Sequence, residues 1–306
     1  TNQAAHETTV INNEKTSGTT ITMAGYLATG SGSDATLTIN GSTISGGDEN
    51  TELFLAGTYT ESGDVNNGHL IIEGDSNVGP TESNVGVKGI YGGYTGSGSV
   101  SDSSVTISAG TVKLDQPVIN IAGGLTGSGT ASNNKVNIKG GKITAAGSIE
   151  GGAGTSASGN QVNISGGTVK AGTDIIGGYS AGSGTSDTAS GNSVSINGDD
   201  ATAAVTANTI IGGQSDSTTA SGNSVAISKG TGTGGAPAVT AASIIGGQSL
   251  GDNGTNTVSI SDGTVNVSTS IIGGEATGTG AVTNNGVAIT GGTVAATLEM
   301  LEHLGY

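Results

Sequence analysis

The stretch ASGNSVSINGDDATAAVTANTIIGGQS, residues 189–215, returns 31 residues later as ASGNSVAISKGTGTGGAPAVTAASIIGGQS, residues 220–249. Both copies contain an apolar V-x-I pair, a polar or Gly-rich turn, a second apolar pair and the tetrapeptide I-I-G-G. Self-similarity at a period of about 20–50 residues is typical of repeat architectures, so the extent of this repeat decides the fold.

The V-x-I pair recurs along most of the chain. Its copies are Leu37/Ile39, Leu70/Ile72, Val105/Ile107, Val136/Ile138, Val162/Ile164, Val194/Ile196, Val225/Ile227, Val258/Ile260 and Val287/Ile289. Successive copies are 33, 35, 31, 26, 32, 31, 33 and 29 residues apart, which indicates a constant unit with loops of variable length. With the second pair and the I-x-G-G segment, each unit holds three short apolar runs of period 2.

Strands this short cannot bury a face alone, but they can when each pairs in parallel with its equivalent about 4.8 Å along an axis. The sequence therefore predicts an all-β fold, a right-handed parallel β-helix or β-solenoid with about three short strands per coil and nine to ten coils. We expect residues 1–30 to form an N-terminal cap or lead-in and residues 31–296 to form the β-helix. Residues 297–306 are expected to be a C-terminal cap or a tail.

Composition limits the possible functions. The chain has 59 Gly, one Phe, no Trp and no Cys, so we expect a thin core of Val, Ile and Ala without disulfides or a cysteine metal site. Its net charge is −16, and all eight basic residues are Lys, which argues against a nucleic-acid partner. The sequence has no apolar run long enough to span a membrane, so we expect no membrane insertion by this segment. The first residues lack the features of a signal peptide, so we interpret the chain as a mature form or a fragment.

One polar position repeats two residues before the V-x-I pair in six consecutive units. It is occupied by Asn134, Asn160, Asn192, Asn223, Asn256 and Asn285. Stacked side-chain amides can hydrogen-bond from coil to coil, so we predict a structural asparagine ladder.

An apolar column is less simply explained. Because Glu150 takes the second position of I-x-G-G once, we expect the first position to face inward and the second to face outward. The outward column and its border then form a candidate interaction strip of Tyr91, Ile176, Ile211, Ile245, Ile272, Tyr94 and Tyr179. Two interpretations stay open, that loops or a reversed phase cover the strip, or that it serves self-association or a partner.

The sequence gives no sign of a catalytic or cofactor site. Many β-helix enzymes need clustered carboxylates with Arg or Lys in a groove, and no carboxylate recurs at one offset across neighbouring units here. The three His are scattered, and no nucleophile elbow or His-rich metal pattern occurs. We therefore predict that the protein is not an enzyme and has no catalytic residue, metal or cofactor.

The unit IIGGYS…ASGN-x-V-x-I-x-GGTV resembles the repeats in passenger regions of bacterial type V autotransporter adhesins, over roughly residues 86–296. Those proteins are secreted through an outer-membrane barrel and display long right-handed β-helices. The resemblance implies an extracellular location on a bacterial surface and attachment to a protein or glycan of host cells, matrix or other bacteria. The alternatives are a polysaccharide lyase or tailspike-like depolymerase, and a structural spacer.

Overall fold

The computed structural model describes residues 8–10, 15–17, 20–23, 25–28, 34–46, 53–80, 87–115 and 119–296, and every regular element in these ranges is a β-strand. The strands form three sheets, and their pairings are parallel. The chain is a parallel β-solenoid of about eight turns with three strands per turn, which confirms the predicted fold class with fewer turns than the nine to ten expected.

The V-x-I pairs lie in one ten-stranded sheet, called here the V-x-I sheet. Val136 pairs with Val162, and Val162 pairs with Val194, so successive copies are direct neighbours in one column. The strands are Lys15–Ser17, Thr36–Asn40, His69–Glu73, Ser104–Ile107, Lys135–Ile138, Gln161–Ile164, Ser193–Ile196, Ser224–Ile227, Thr257–Ile260 and Gly286–Ile289.

The second apolar pair and the I-x-G-G segment both lie in a 17-stranded sheet, called here the long sheet. Toward the C-terminus the two segments join into continuous strands, as in Ala203–Ser215. The strands are Thr8–Val10, Thr20–Met23, Gly25–Ala28, Thr43–Gly46, Leu53–Thr60, Asn77–Val78, Val87–Thr95, Thr111–Leu114, Ile119–Thr126, Lys142–Ala145, Ser148–Gly154, Gly167–Ala171, Asp174–Ser180, Ala203–Ser215, Ala238–Ser249, Thr264–Ala276 and Thr293–Ala296.

A third sheet of eight strands, the short sheet, was not recognised in the sequence. Each strand has only two or three residues, and most contribute one inward apolar side chain, such as Ala157 or Ala189, so they show no period-2 pattern. In Asn253–Gly254 the inward residue is Asn253, and both residues of Val282–Thr283 are exposed. The strands are Val65–Asn66, Val100–Ser101, Thr130–Ser132, Ser156–Ser158, Thr188–Ser190, Thr219–Ser221, Asn253–Gly254 and Val282–Thr283.

The core consists of aliphatic columns. Side chains of the V-x-I sheet and the long sheet, among them Val136, Ile138, Ile143 and Ile149, meet in one continuous cluster and are fully buried. A smaller cluster beneath the short sheet contains Val65, Val100 and Ala131. Burying one Val or Ile side chain stabilises a fold by about 1.5–3 kcal/mol. Stacking therefore supplies the driving force that bulky aromatic residues provide elsewhere.

A left-handed residue precedes the strands of the V-x-I sheet and turns the chain from the short sheet toward them. This column has φ values between 53° and 64° and consists of Asp34, Asn67, Asp102, Asn133, Gly159, Gly191, Gly222, Thr255 and Asn284. Only Gly, and to a lesser degree Asn and Asp, adopts this conformation at low cost. The requirement explains why this position is Gly, Asn or Asp in eight of the nine units; Thr255 is the exception.

Described strands lie on both sides of the predicted division at residue 30, and that division stays a prediction. The strand Gly25–Ala28 pairs in parallel with Leu53–Thr60, and Thr8–Val10 pairs with Gly25–Ala28, so strands within residues 1–30 belong to the long sheet. In the last described coil, Val287 and Ile289 are exposed, because no described strand lies beyond them. The expected cap or tail at 297–306 lies outside the described residues.

Candidate functional site

The six predicted asparagines are stacked along the solenoid. Asn192 shows the pattern, because its Nδ2 donates to Asn223 Oδ1 at 3.0 Å and to the Ala157 carbonyl at 3.1 Å. Its own Oδ1 accepts from the Asn160 backbone N–H at 2.9 Å and from Asn160 Nδ2 at 3.1 Å. Equivalent bonds join Asn134, Asn223, Asn256 and Asn285 to their neighbours. Asn134 to Asn256 are fully buried, and Asn285 is half-buried in the last coil.

The Gly pair of I-x-G-G lies against this ladder. A Cβ placed on Gly213 would be 2.2 Å from Asn223 Oδ1, and one on Gly212 would be 2.6 Å from the Ser224 backbone nitrogen. No larger residue fits at either position. The long sheet therefore approaches the V-x-I sheet here, and the close contact separates the aliphatic core from the small cluster beneath the short sheet.

The candidate interaction strip is not an exposed surface. Ile176, Ile211 and Ile245 are 4%, 2% and 3% exposed and pack together with Tyr179, which is half-buried. Ile272, in the last described strand of this column, is half-buried. We attribute the burial to the Gly pair, because drawing the strand inward leaves its outer side chains in a recess. We call this column the isoleucine seam.

Aromatic side chains occupy the same column toward the N-terminus. Tyr91 is 3% exposed, and its Oη donates to the Ile119 carbonyl at 3.1 Å. Its ring stacks on Tyr94 with centroids 5.7 Å apart and on Phe54 at 6.0 Å. Tyr94, half-buried, also stacks on Tyr59 at 5.4 Å. Thus all seven residues of the candidate strip are buried or half-buried.

Glu150 occupies this column between Ala122 and Ile176, and it is 2% exposed. Ser148 Oγ donates to its Oε1 at 2.7 Å, whereas Oε2 is buried without a hydrogen-bond partner. Burial raises the pKa of Glu150 from its ordinary value of 4.5 to about 7; the Ser148 hydrogen bond lowers it, and the charges of Asp174 and Asp216 raise it further. The prediction that Glu150 marks an exposed position of I-x-G-G is therefore wrong.

A polar group borders the seam next to Glu150. Tyr179 Oη donates a short hydrogen bond to Asp216 Oδ2, and Gln214 Nε2 donates to Asp216 Oδ1 at 3.1 Å. Desolvation raises the pKa of Tyr179, and the hydrogen bond to Asp216 and the nearby negative charges act in the same direction. At neutral pH the phenol therefore remains protonated and acts as a hydrogen-bond donor.

Loops of variable length emerge between the long sheet and the short sheet at one corner, called here the loop corner. They comprise residues 61–64, 96–99, 127–129, 155, 181–187, 216–218, 250–252 and 277–281. The longest, residues 181–187, is closed by Asp187, whose carboxylate accepts from the Gly184 backbone N–H at 2.6 Å. Most of its residues are exposed.

The chemistry of the described residues is that of a polar surface on a rigid frame. Within these ranges, no three His, Asp or Glu side chains are close enough to hold a metal ion. The carboxyl with the most perturbed pKa, Glu150, is closed to solvent and cannot contact a substrate in this conformation.

No protein-family model, curated protein or solved structure matches the chain. The structure therefore establishes the β-solenoid fold, and the comparisons identify no family. In the described part of the chain, no helix has the length and hydrophobicity needed to cross a membrane.

Proposed function

We propose that the chain is a non-catalytic adhesin displayed on a bacterial surface, of the kind that autotransporter passengers exemplify. It attaches to a protein or glycan of host cells, matrix or other bacteria through its lateral face and loops. The observation that carries the proposal is the loop corner, where connections of one to seven residues project from equivalent points of successive coils. Surface loops held by a rigid scaffold are common sites of recognition.

The interior supports this division between frame and loops. The asparagine ladder and the Gly pairs fix each coil against the next, so the loop residues are spaced about 4.8 Å apart along the axis. Loop length then changes without disturbing the frame. The coil at Thr155 connects the same two sheets with a single residue, whereas the next coil uses residues 181–187.

Cell binding tests the proposal. Labelled protein is titrated onto a panel of host cells and bacteria, and we expect saturable binding. In a variant whose 181–187 loop is replaced by a single Thr, as at Thr155, we expect binding to weaken about tenfold, a loss of about 1.4 kcal/mol. The matched control shortens the loop at residues 228–237, which lies at a different corner. Its affinity should stay within about twofold.

The same protein decides between the alternatives. Release of new reducing ends from a polysaccharide panel would favour a depolymerase and contradict the proposal. Failure to bind any cell, with an intact fold by circular dichroism, would favour a spacer.

A further inference from the structure

Half of the lysines lie in one small region of the long sheet. Lys113, Lys142 and Lys170 belong to the strands Thr111–Leu114, Lys142–Ala145 and Gly167–Ala171 of three successive coils. Lys139 lies in the turn before the middle strand. All four are exposed, and we call them the lysine face.

The face has a regular arrangement of two side-chain types. In one outward column Lys113 pairs with Thr144 and Thr144 with Lys170. In the adjacent outward column the order is reversed, because Lys142 lies between Thr111 and Thr168. Lysine and threonine thus alternate in both directions. Lys113 and Lys170 are about 10 Å apart along the axis, and Lys142 is offset by about 7 Å along the strand.

Positive charge is concentrated on this face, and acidic side chains lie at its borders. Residues 108–114, 139–145 and 165–171 contain four Lys and no Asp or Glu, although the whole chain has 24 acidic residues and a net charge of −16. Asp115 directly follows the first segment, and Ser165 of the third donates a hydrogen bond to Asp200. Among the described residues, none of the four ammonium groups is in a hydrogen bond or an ion pair. Because these four ammonium groups have no anionic partner among the described residues, they are available to bind an anion from another molecule.

We propose that the lysine face binds an acidic polysaccharide, a glycan chain that carries carboxylate or sulfate groups. The argument is charge complementarity on a flat surface, because an extended chain can cross three coils and present successive anions to Lys113, Lys142 and Lys170. The intervening threonines offer hydroxyl groups that can exchange hydrogen bonds with sugar hydroxyls. Lysine contributes point charges rather than the bidentate fork of arginine, so the charge spacing of the glycan matters more than its stereochemistry.

The overall charge disfavours a competing partner. Nucleic acid carries a negative charge at every phosphate and would be repelled by the acidic remainder of the chain. A glycan with fewer charges, separated by neutral hydroxyl-bearing atoms, fits the alternation of Lys and Thr better. The inference deepens the proposed adhesive function by naming a partner class. It rests on that function only for the assumption that the chain meets the glycan on a cell surface or in a matrix.

Binding to defined polymers tests the inference. The probes are hyaluronate and carboxymethyl-dextran of low substitution, both sparsely charged, and uncharged dextran, titrated against the full chain in about 50 mM and 300 mM salt. We expect binding to the two acidic polymers that weakens with salt, and none to dextran. In the double variant Lys113→Gln/Lys170→Gln, affinity for the acidic polymers should fall about tenfold.

The matched control is Lys135→Gln/Lys229→Gln, which removes the same charge from other parts of the surface. It should change affinity by less than about twofold. Equal losses in the two double variants, or no binding to either acidic polymer by a folded protein, would overturn the inference. Equally tight binding of single-stranded DNA would overturn it in favour of a general polyanion site.

The two proposals fail separately. If the chain attaches to cells but the lysine-face variant binds the acidic polymers as tightly as the parent, the adhesive function stands and the glycan assignment is wrong. If the lysine face binds acidic polymers but the chain binds no cell, the glycan site stands and the adhesive function is wrong.

Discussion

The asparagine and glycine columns are two parts of one requirement at the residue scale. Asn192 fits inside the coil because the strand that faces it carries Gly178, where a Cβ would be 2.1 Å from Asn192 Oδ1. A buried amide without partners would be destabilising, but each amide here has donors and acceptors in adjacent coils. The pairing of Asn with G-G in the repeat therefore has a physical cause.

Replacing Asn192 by Ala tests the ladder. The substitution leaves the Asn160 backbone N–H, the Asn160 side-chain amide, the Asn223 Oδ1 and the Ala157 carbonyl each short of a partner. We expect a loss of about 2–4 kcal/mol in the free energy of unfolding, measured by urea denaturation. The control Ser195→Ala, on the outer side of the next strand, should cost less than about 0.5 kcal/mol. Equal effects would contradict a stabilising ladder.

Glu150 makes stability depend on pH. Its pKa is raised from 4.5 to about 7 in the folded chain, so the folded state binds the proton more tightly than the unfolded state does. Below pH 4.5 the carboxyl is protonated in both states, and its contribution to stability is fully present. As pH rises from 4.5 to about 7, the carboxyl ionises in the unfolded chain but stays protonated in the folded chain, so the free energy of unfolding falls until the folded pKa is passed. At 1.36 kcal/mol per pKa unit, the total loss is about 3 kcal/mol.

The variant Glu150→Ile places in this column the residue found at Ile176 and Ile211. We expect it to be more stable than the parent by about 3 kcal/mol at pH 8, and the advantage to shrink toward pH 4.5. Thermal unfolding at several pH values measures the difference. The same gain at both pH values would mean that packing alone, without ionisation, accounts for it.

At the scale of elements, the sequence predicted the strands with alternating side chains and missed those without them. The columns of Val136 and Ile138 follow directly from period 2 and are confirmed by the register of the V-x-I sheet. The short sheet could not be predicted, because strands such as Ser156–Ser158 contribute one inward Ala. Whether the isoleucine seam is buried depends on how far the Gly pair draws the strand inward. The alternation of apolar and polar residues in the sequence does not give that distance.

The isoleucine seam is expected to stabilise the frame rather than to join two molecules. Because Ile211 is 2% exposed, Ile211→Ala should lower the free energy of unfolding by about 2–5 kcal/mol. Sedimentation velocity should give the same oligomeric state for parent and variant. Thr206→Ala, an exposed position of the same strand, serves as control with an expected cost below about 0.5 kcal/mol. If the parent is an oligomer and the Ile211 variant dissociates, the seam would instead be an interaction surface between molecules.

The whole molecule behaves as a stack in which each coil contacts mainly the coils before and after it. Ala189, Ser193 and Val194 pair with Ala220, Ser224 and Val225, one coil further along. In such an array stability is approximately a sum of terms for each unit and each interface between neighbours. A complete coil is then removable, provided that the new neighbours meet in the same register.

Deletion of residues 189–219 joins Thr188 to Ala220 and removes one coil. The ladder continues from Asn160 to Asn223, the V-x-I sheet continues from Val162 to Val225, and the T-A junction is unchanged. We expect a folded protein with the parent's β-sheet signal per residue in circular dichroism and a rod shorter by about 4.8 Å in solution scattering. Deletion of residues 189–203 removes the V-x-I strand Ser193–Ile196 but keeps nearly all of the long-sheet strand Ala203–Ser215, so one coil lacks its rung in the V-x-I sheet. Because the strands on either side of that rung lose their hydrogen-bonding neighbour inside the stack, that variant should unfold. Equal stability of the two deletions would mean that the columns do not determine the fold.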